Sequence, residues 1–202
     1  MRAFVAIRVP LTFREVLAGE ASSLIRFSRH ARPVAAGNLH LTLAFLGNVA
    51  SQSTDSVRSA MEAAATGFRP LSLGFGSGGT FPVYGVPRVA WAGVTGDLES
   101  LREVQGAVLE AMRGIGVRVD QRPFSPHVTL ARIGRQATPS ERIALKRGLE
   151  AFDLSHLGHF VTRGISFIES DLTVDGSSHQ ELFEVEFREG RPEKKRRRFG
   201  LF

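Results

Sequence analysis

Short runs of alternating or unbroken apolar residues mark the strands of this chain, and apolar residues on one helical face mark its helices. The run AFVAIRV, 3–9, is apolar throughout except for Arg8 and reads as a buried strand that Pro10 ends. Residues 11–27 carry Leu11, Val16, Leu17, Leu24 and Phe27 at near-helical spacing. A loop with Pro33 and Gly37 leads to a strand over 39–46, closed by Gly47 and Asn48. Ser53 or Thr54 is placed to cap a helix reaching residue 65. PLSLGFGSG, 70–78, alternates as a strand, GGTFPVYG, 78–85, reads as a loop, and 87–94 reads as the next strand. Asp97 is placed to cap a helix over 98–112, and a further strand runs from 126 to 133. Thr138, Pro139 and Glu141 form a helix-start signature for 138–152. HFVTRGISFIES, 159–170, and QELFEVEFRE, 180–189, are long alternating strands, with the turn in DGSSH, 175–179.

The predicted order, β-α-β-α-β-β-α-β-α-β-β, is α+β and not doubly wound. Within it the chain writes one octapeptide twice. HLTLAFLG begins at His40 and HVTLARIG at His127, with His, Thr, Leu, Ala and Gly identical. The duplication predicts two pseudo-symmetric lobes, each an antiparallel sheet with helices on its outer face, around a central cleft. Neither half is long enough to bury a comfortable core alone. One bilobal domain is therefore expected over 1–189, with a basic tail over 190–202.

Composition narrows the chemistry. The chain has 202 residues, 43% apolar and 23% charged, and no cysteine. Disulfides, thiolate nucleophiles and cysteine zinc sites are excluded. The start carries five apolar residues between Arg2 and Arg8, too few for a secretory signal, and no run approaches the roughly 20 apolar residues of a membrane helix. The expectation is a cytoplasmic protein without a membrane partner, monomeric by default. The formal charge is +6, but the tail concentrates it: six basic residues stand against Glu193 beyond Gly190. Such a run reads as solvated and attracts polyanions without naming a function.

In a strand, His40 and Thr42 point to one face while Leu41 and Leu43 point to the other; His127 and Thr129 repeat this, backed by Val128 and Leu130. Two imidazoles across a cleft can divide the work of a general base and a general acid near neutral pH. The threonine hydroxyls can hold an anion between them. The arrangement suits in-line displacement at phosphorus and calls for no metal or cofactor.

The paired motifs, with RPVAAGNLHLTLAFLGNV, 32–49, RPFSPHVTLARIG, 122–134, and the opening RAFVAIRVP, resemble the 2H phosphoesterase superfamily, and within it the bacterial and archaeal RNA 2′,3′-cyclic phosphodiesterases, also called 2′-5′ RNA ligases. The resemblance spans about residues 2–187. It implies that the partner is RNA with a 2′,3′-cyclic phosphate end, with His127 as the base on water, His40 as the acid on the leaving 3′ oxygen, and a 2′-phosphomonoester as product. It also implies that Thr42, Thr129 and Arg132 hold phosphate oxygens, and that some members run a reversible, ATP-independent 2′-5′ ligation. No G-x-x-x-x-G-K-[ST] loop is present.

Arg132 poses a difficulty. It lies five residues after His127, so strict alternation sends it to the opposite face unless a bulge intervenes. Phe45 stands at the equivalent place in the first repeat. Phe81 and Tyr84 lie in the glycine-rich loop and are candidates to stack on a base. Arg32 and Arg122 each precede a proline upstream of a motif and read as surface charges within reach of RNA phosphates. His30 and His179 read as loop histidines. His156 and His159 have metal-type spacing but lack a third ligand. Rival readings are a phosphodiesterase for 2′-5′ oligoadenylate or small cyclic phosphates, a non-catalytic RNA-binding module, and a metal hydrolase.

Overall fold

A computed structural model describes residues 1–120, 122–173 and 176–190. In chain order the elements are β1 (Arg2–Arg8), α1 (Leu11–Ser23), β2 (Ala31–Pro33), β3 (His40–Asn48), α2 (Thr54–Ala65), β4 (Leu71–Phe81), β5 (Val89–Gly96), α3 (Leu98–Gly114), β6 (His127–Ile133), α4 (Pro139–Glu150), β7 (His159–Thr162), β8 (Gly164–Thr173) and β9 (Gly176–Glu186). The strands form one curled antiparallel sheet in the order β7-β4-β5-β6-β3-β1-β8-β9, and β2 lies beside β6. The centre of that order falls between β6 and β3, the two repeat strands. Moving outward, β5 matches β1, β4 matches β8 and β7 matches β9.

The lobes are not the two halves of the chain. β1, β3, β8 and β9 build one lobe, while β4, β5, β6 and β7 build the other. α2 packs on α3 and on β8 and β9; α1 packs on β6 and α4 on β4. All four helices cover one face, where Leu41, Leu43, Val128 and Leu130 join Val57, Met61, Leu101 and Val104 in a common core. The opposite face is concave and holds a second, small apolar cluster of Phe4, Ala6 and Ile168.

The repeat persists in three dimensions. Over their first seven positions β3 and β6 have the same burial: half-buried His, buried Leu or Val, half-buried Thr, two buried residues, an exposed residue, then a buried one. Two buried residues in succession break simple alternation, and strand pairing shows why. β1 pairs Val5 with Ala44 and Ala6 with Thr42, leaving Leu43 as an extra residue in β3. β5 pairs Ala90 with Ala131 and Trp91 with Thr129, leaving Leu130 extra in β6. Each repeat therefore carries a bulge at the same place. Beyond it the alternation inverts, and Phe45 and Arg132 turn to the face of the histidines.

Several expectations change. The first helix ends at Ser23 and tightens into a 3₁₀ turn over Leu24–Arg26. Residues 78–81, read as loop, continue β4. Their glycines make room for a ring: the Trp91 indole lies against Gly79 and leaves no space for a Cβ there. The alternating run 159–170 is divided. β7 pairs with β4 at the edge of one lobe, and after Arg163 β8 pairs with β1 in the other. Asp97 makes no cap bond to α3; its carboxylate accepts from Ser72 N at 2.8 Å. Neither Ser53 nor Thr54 caps α2 through its side chain. The α4 signature forms as expected: Thr138 Oγ accepts from Glu141 N at 3.2 Å, and Thr138 N donates to the Glu141 carboxylate at 2.7 Å. That carboxylate also accepts from Ser28 Oγ and Arg29 N, tying α4 to the segment before β2. The basic segment 191–202 lies outside the described residues. Among the described residues no helix is long and apolar enough to cross a membrane.

Candidate active site

His40 opens β3 and His127 opens β6. The rings are fixed in the same manner. His40 Nδ1 lies 2.7 Å from the carbonyl oxygen of Asn38, and His127 Nδ1 lies 2.7 Å from that of Ser125, in each case two residues upstream. A carbonyl only accepts, so Nδ1 carries the hydrogen and the neutral ring keeps its lone pair at Nε2. Each ring also leans on an aromatic side chain from elsewhere in its own lobe. Phe4 stacks on His40 at 4.5 Å and 26°, and the Phe81 edge meets His127 at 4.9 Å and 81°. Such contacts contribute about 0.5–1.5 kcal/mol beyond buried area, so they restrict ring orientation more than they stabilise the fold.

The environment disfavours charge on both rings. Burial pushes His40 down to about 4; the Asn38 carbonyl opposes this, and positive charge at His179, His127 and Arg132 reinforces it. Burial lowers His127 as well, against the raising effect of the Ser125 carbonyl. β3 and β6 touch through one backbone pair, Leu41 with Val128. The antiparallel run about that pair sets His40 toward Thr129 and Thr42 toward His127. Both threonines are half-buried on the cleft face.

Arg132 is exposed, and the Leu130 bulge brings it to this face. Its positive charge adds to the lowering of His40 and of His179. Phe81 sits within the site, against both His127 and Trp91. Tyr84 stands apart: it is 89% exposed at the tip of the β4–β5 connection, and no ring contact ties it to either histidine. The loop is closed at its base by Arg88 N donating to the Phe81 carbonyl.

His179 departs from the loop reading. It lies in β9 opposite Ser170, with its ring 5.1 Å edge-on to both Phe4 and His40. Burial lowers its pKa first, and Arg132 adds to this. Arg8 and Glu181 pair at 3.2 Å on the same wall, so His40, His179, Arg8, Glu181, Leu39 and Ile168 line one recess. Extending the period-2 pattern of 180–189 back through Ser177 would have found His179. The two upstream arginines part company. Arg122 is engaged by Asp120, with its Nε 2.7 Å from the carboxylate. Arg32 faces Arg132 across β2 and β6. His156 lies in a 3₁₀ turn and His159 opens β7, at the far edge of the sheet. Among the described residues no group of three or more His, Asp or Glu side chains is placed to hold a metal ion.

A curled two-lobed sheet carrying one His-x-Thr strand from each lobe at its centre defines a 2H-type phosphoesterase. Residues 17–170 match the 2′-5′ RNA ligase superfamily, and the chain belongs to that family. It is 31% identical over 182 residues to a protein of Archaeoglobus fulgidus named RNA 2′,3′-cyclic phosphodiesterase, covering 90% of this chain and 98% of that protein. A Geobacillus stearothermophilus protein of the same name is 36% identical over 145 residues, 69% of this chain; the match spans 45% of that relative's length. A crystal structure of a Thermus thermophilus protein superposes with a TM-score of 0.71 at 26% identity, covering 93% of this chain and 98% of that one. Escherichia coli LigT in its apo form shares the fold, with a TM-score of 0.72 at 23% identity over 93% of this chain and 97% of that one.

Proposed function

We propose that this protein hydrolyses RNA ends carrying a 2′,3′-cyclic phosphate to 2′-phosphomonoesters, using its two histidines as acid and base and no metal ion. The observation that carries the reading is the matched pair of rings, His40 and His127, each with Nδ1 held by a carbonyl two residues upstream and Nε2 left for the cleft. The names of the relatives supply the substrate class. In the reaction, His127 Nε2 takes a proton from water as the water oxygen bonds to phosphorus. The bond from phosphorus to the 3′ oxygen breaks on the opposite side, and protonated His40 gives its Nε2 hydrogen to that oxygen. The product keeps phosphate on the 2′ oxygen. Thr42 and Thr129 hydroxyls and the Arg132 guanidinium hold the non-bridging oxygens and match their growing charge.

His40 must be charged to act as the acid, yet in the free protein burial and its cationic neighbours oppose this. An anionic phosphate in the cleft reverses the balance by favouring the charged ring. Substrate binding thus supplies the protonation that catalysis needs. With an RNA 5′-hydroxyl in place of water, the same geometry accounts for an ATP-independent 2′-5′ joining reaction: the 5′ oxygen bonds to phosphorus as its proton passes to His127, and the 3′ oxygen leaves with a proton from His40.

The test is a short RNA with a 2′,3′-cyclic phosphate end, incubated in EDTA, with the product identified as 2′- or 3′-phosphate. Each of His40→Ala and His127→Ala should slow the reaction by roughly 10²–10⁴. A 3′-phosphate would reverse the assignment of the leaving oxygen. Ordinary rates in either variant would remove that histidine from the mechanism, and loss of activity in EDTA would overturn metal independence.

A further inference from the structure

Arg32 and Arg132 stand directly opposite each other where β2 runs beside β6. Opposed residues of an antiparallel pair share a face, with Cβ atoms roughly 5 Å apart. The Leu130 bulge puts Arg132 on the cleft face, so Arg32 is there too. Both are exposed, and among the described residues neither forms an ion pair with a carboxylate. Like charges directly opposite each other in a sheet repel and cost stability. By contrast Arg8 has Glu181, Arg69 has Glu189 and Arg122 has Asp120 as a carboxylate partner. An anion lying along the two guanidiniums removes the repulsion.

The position of β2 says which anion. β2 takes up the edge of β6 only beyond the Leu41–Val128 contact, on the side away from the opening histidine of β6. Arg132 lies on the cleft face of β6, the strand that His127 opens, and is the guanidinium assigned above to the reacting phosphate. Arg32 lies one strand further out, a step of about 4.8 Å. Two long side chains rooted at that spacing can hold two neighbouring phosphates of one strand. Arg29 and Arg135, just beyond the ends of β2 and β6, are exposed as well.

We propose that Arg32 forms, beside Arg132, a subsite for the phosphate that joins the terminal nucleotide to the rest of an RNA chain, so that the enzyme prefers a chain end to a cyclic mononucleotide. The proposal rests on the reading of the site as a cyclic phosphodiesterase.

The experiment measures kcat/KM on adenosine 2′,3′-cyclic phosphate and on the dinucleotide ApA ending in a 2′,3′-cyclic phosphate, with the unmutated protein, Arg32→Gln and Arg32→Lys. The unmutated protein should prefer the dinucleotide. Arg32→Gln should lower the dinucleotide-to-mononucleotide ratio by about tenfold, the scale of a charged hydrogen bond, and Arg32→Lys should fall between. The salt dependence for the dinucleotide should become shallower by about 0.7 in log–log slope in Arg32→Gln, one phosphate contact on a single strand. Arg32→Gln should also melt at a higher temperature, because the repulsion across β2 and β6 is gone. Equal loss on both substrates, an unchanged ratio, or a lower melting temperature would each overturn the subsite. If the unmutated protein opens neither substrate, the phosphodiesterase reading fails, and the subsite fails with it.

Discussion

Leu41 and Val128 are backbone partners across the join between the lobes, and each stands one residue after the histidine of its own repeat. The pseudo-symmetry of the molecule therefore passes through the site itself. One backbone pair sets the distance and direction between two identical His-x-Thr units. Because both side chains of the pair are buried among the helices, the histidines on either side of it are turned to the cleft.

The depressed titration of the two rings gives the pH dependence a definite sign. In the proposed mechanism the reactive free enzyme has His40 charged and His127 neutral. His40 titrates near 4, and His127 below its ordinary 6.5. The profile of kcat/KM should therefore be bell-shaped with its optimum below pH 6.5, and should fall about tenfold per unit at higher pH as charged His40 disappears. The kcat profile should peak at a higher pH, because the bound anion raises His40. A kcat/KM profile flat between pH 5 and 9 is the outcome that paired acid–base chemistry does not allow.

Arg132 has two separable effects. Its charge lowers His40, so Arg132→Gln should raise the His40 titration midpoint, which NMR of the imidazole protons can follow. The same substitution should slow turnover, because in the proposed mechanism Arg132 is the guanidinium on the phosphate. A variant with unchanged His40 titration would place Arg132 outside the cleft and refute the role of the Leu130 bulge.

Gly79 is occupied space rather than flexibility. A Cβ at this position runs into the Trp91 indole, and Trp91 and Phe81 together pack around His127. Gly79→Ala should destabilise the protein by about 1–3 kcal/mol, as overpacking does, measured by urea unfolding. Its activity loss should exceed that of Gly106→Ala, where a Cβ meets nothing within 4 Å.

Much of this protein was legible from local pattern. Period-2 alternation found the repeat strands and put His40, Thr42, His127 and Thr129 on faces opposite their leucines, because successive strand side chains always point opposite ways. The Thr138-Pro139-Glu141 signature located the start of α4, since a capping box closes within four residues. Other features depended on partners far away in the chain. Arg132 reaches the cleft only because β5 skips Leu130, and a bulge exists only between two strands. His179 joins His40 because β8 and β9 follow β1 in the sheet, and Arg32 comes to face Arg132 because β2 runs beside β6. The run 159–170 reads as one strand, yet its two ends serve different lobes, since edge strands are chosen by long-range pairing and not by alternation. The order of residues along each strand marked the candidate histidines and threonines and the face each takes ahead of the bulges. Which of those faces meet was left to the folded sheet, because backbone pairing between distant segments sets register, and register sets every contact across the cleft.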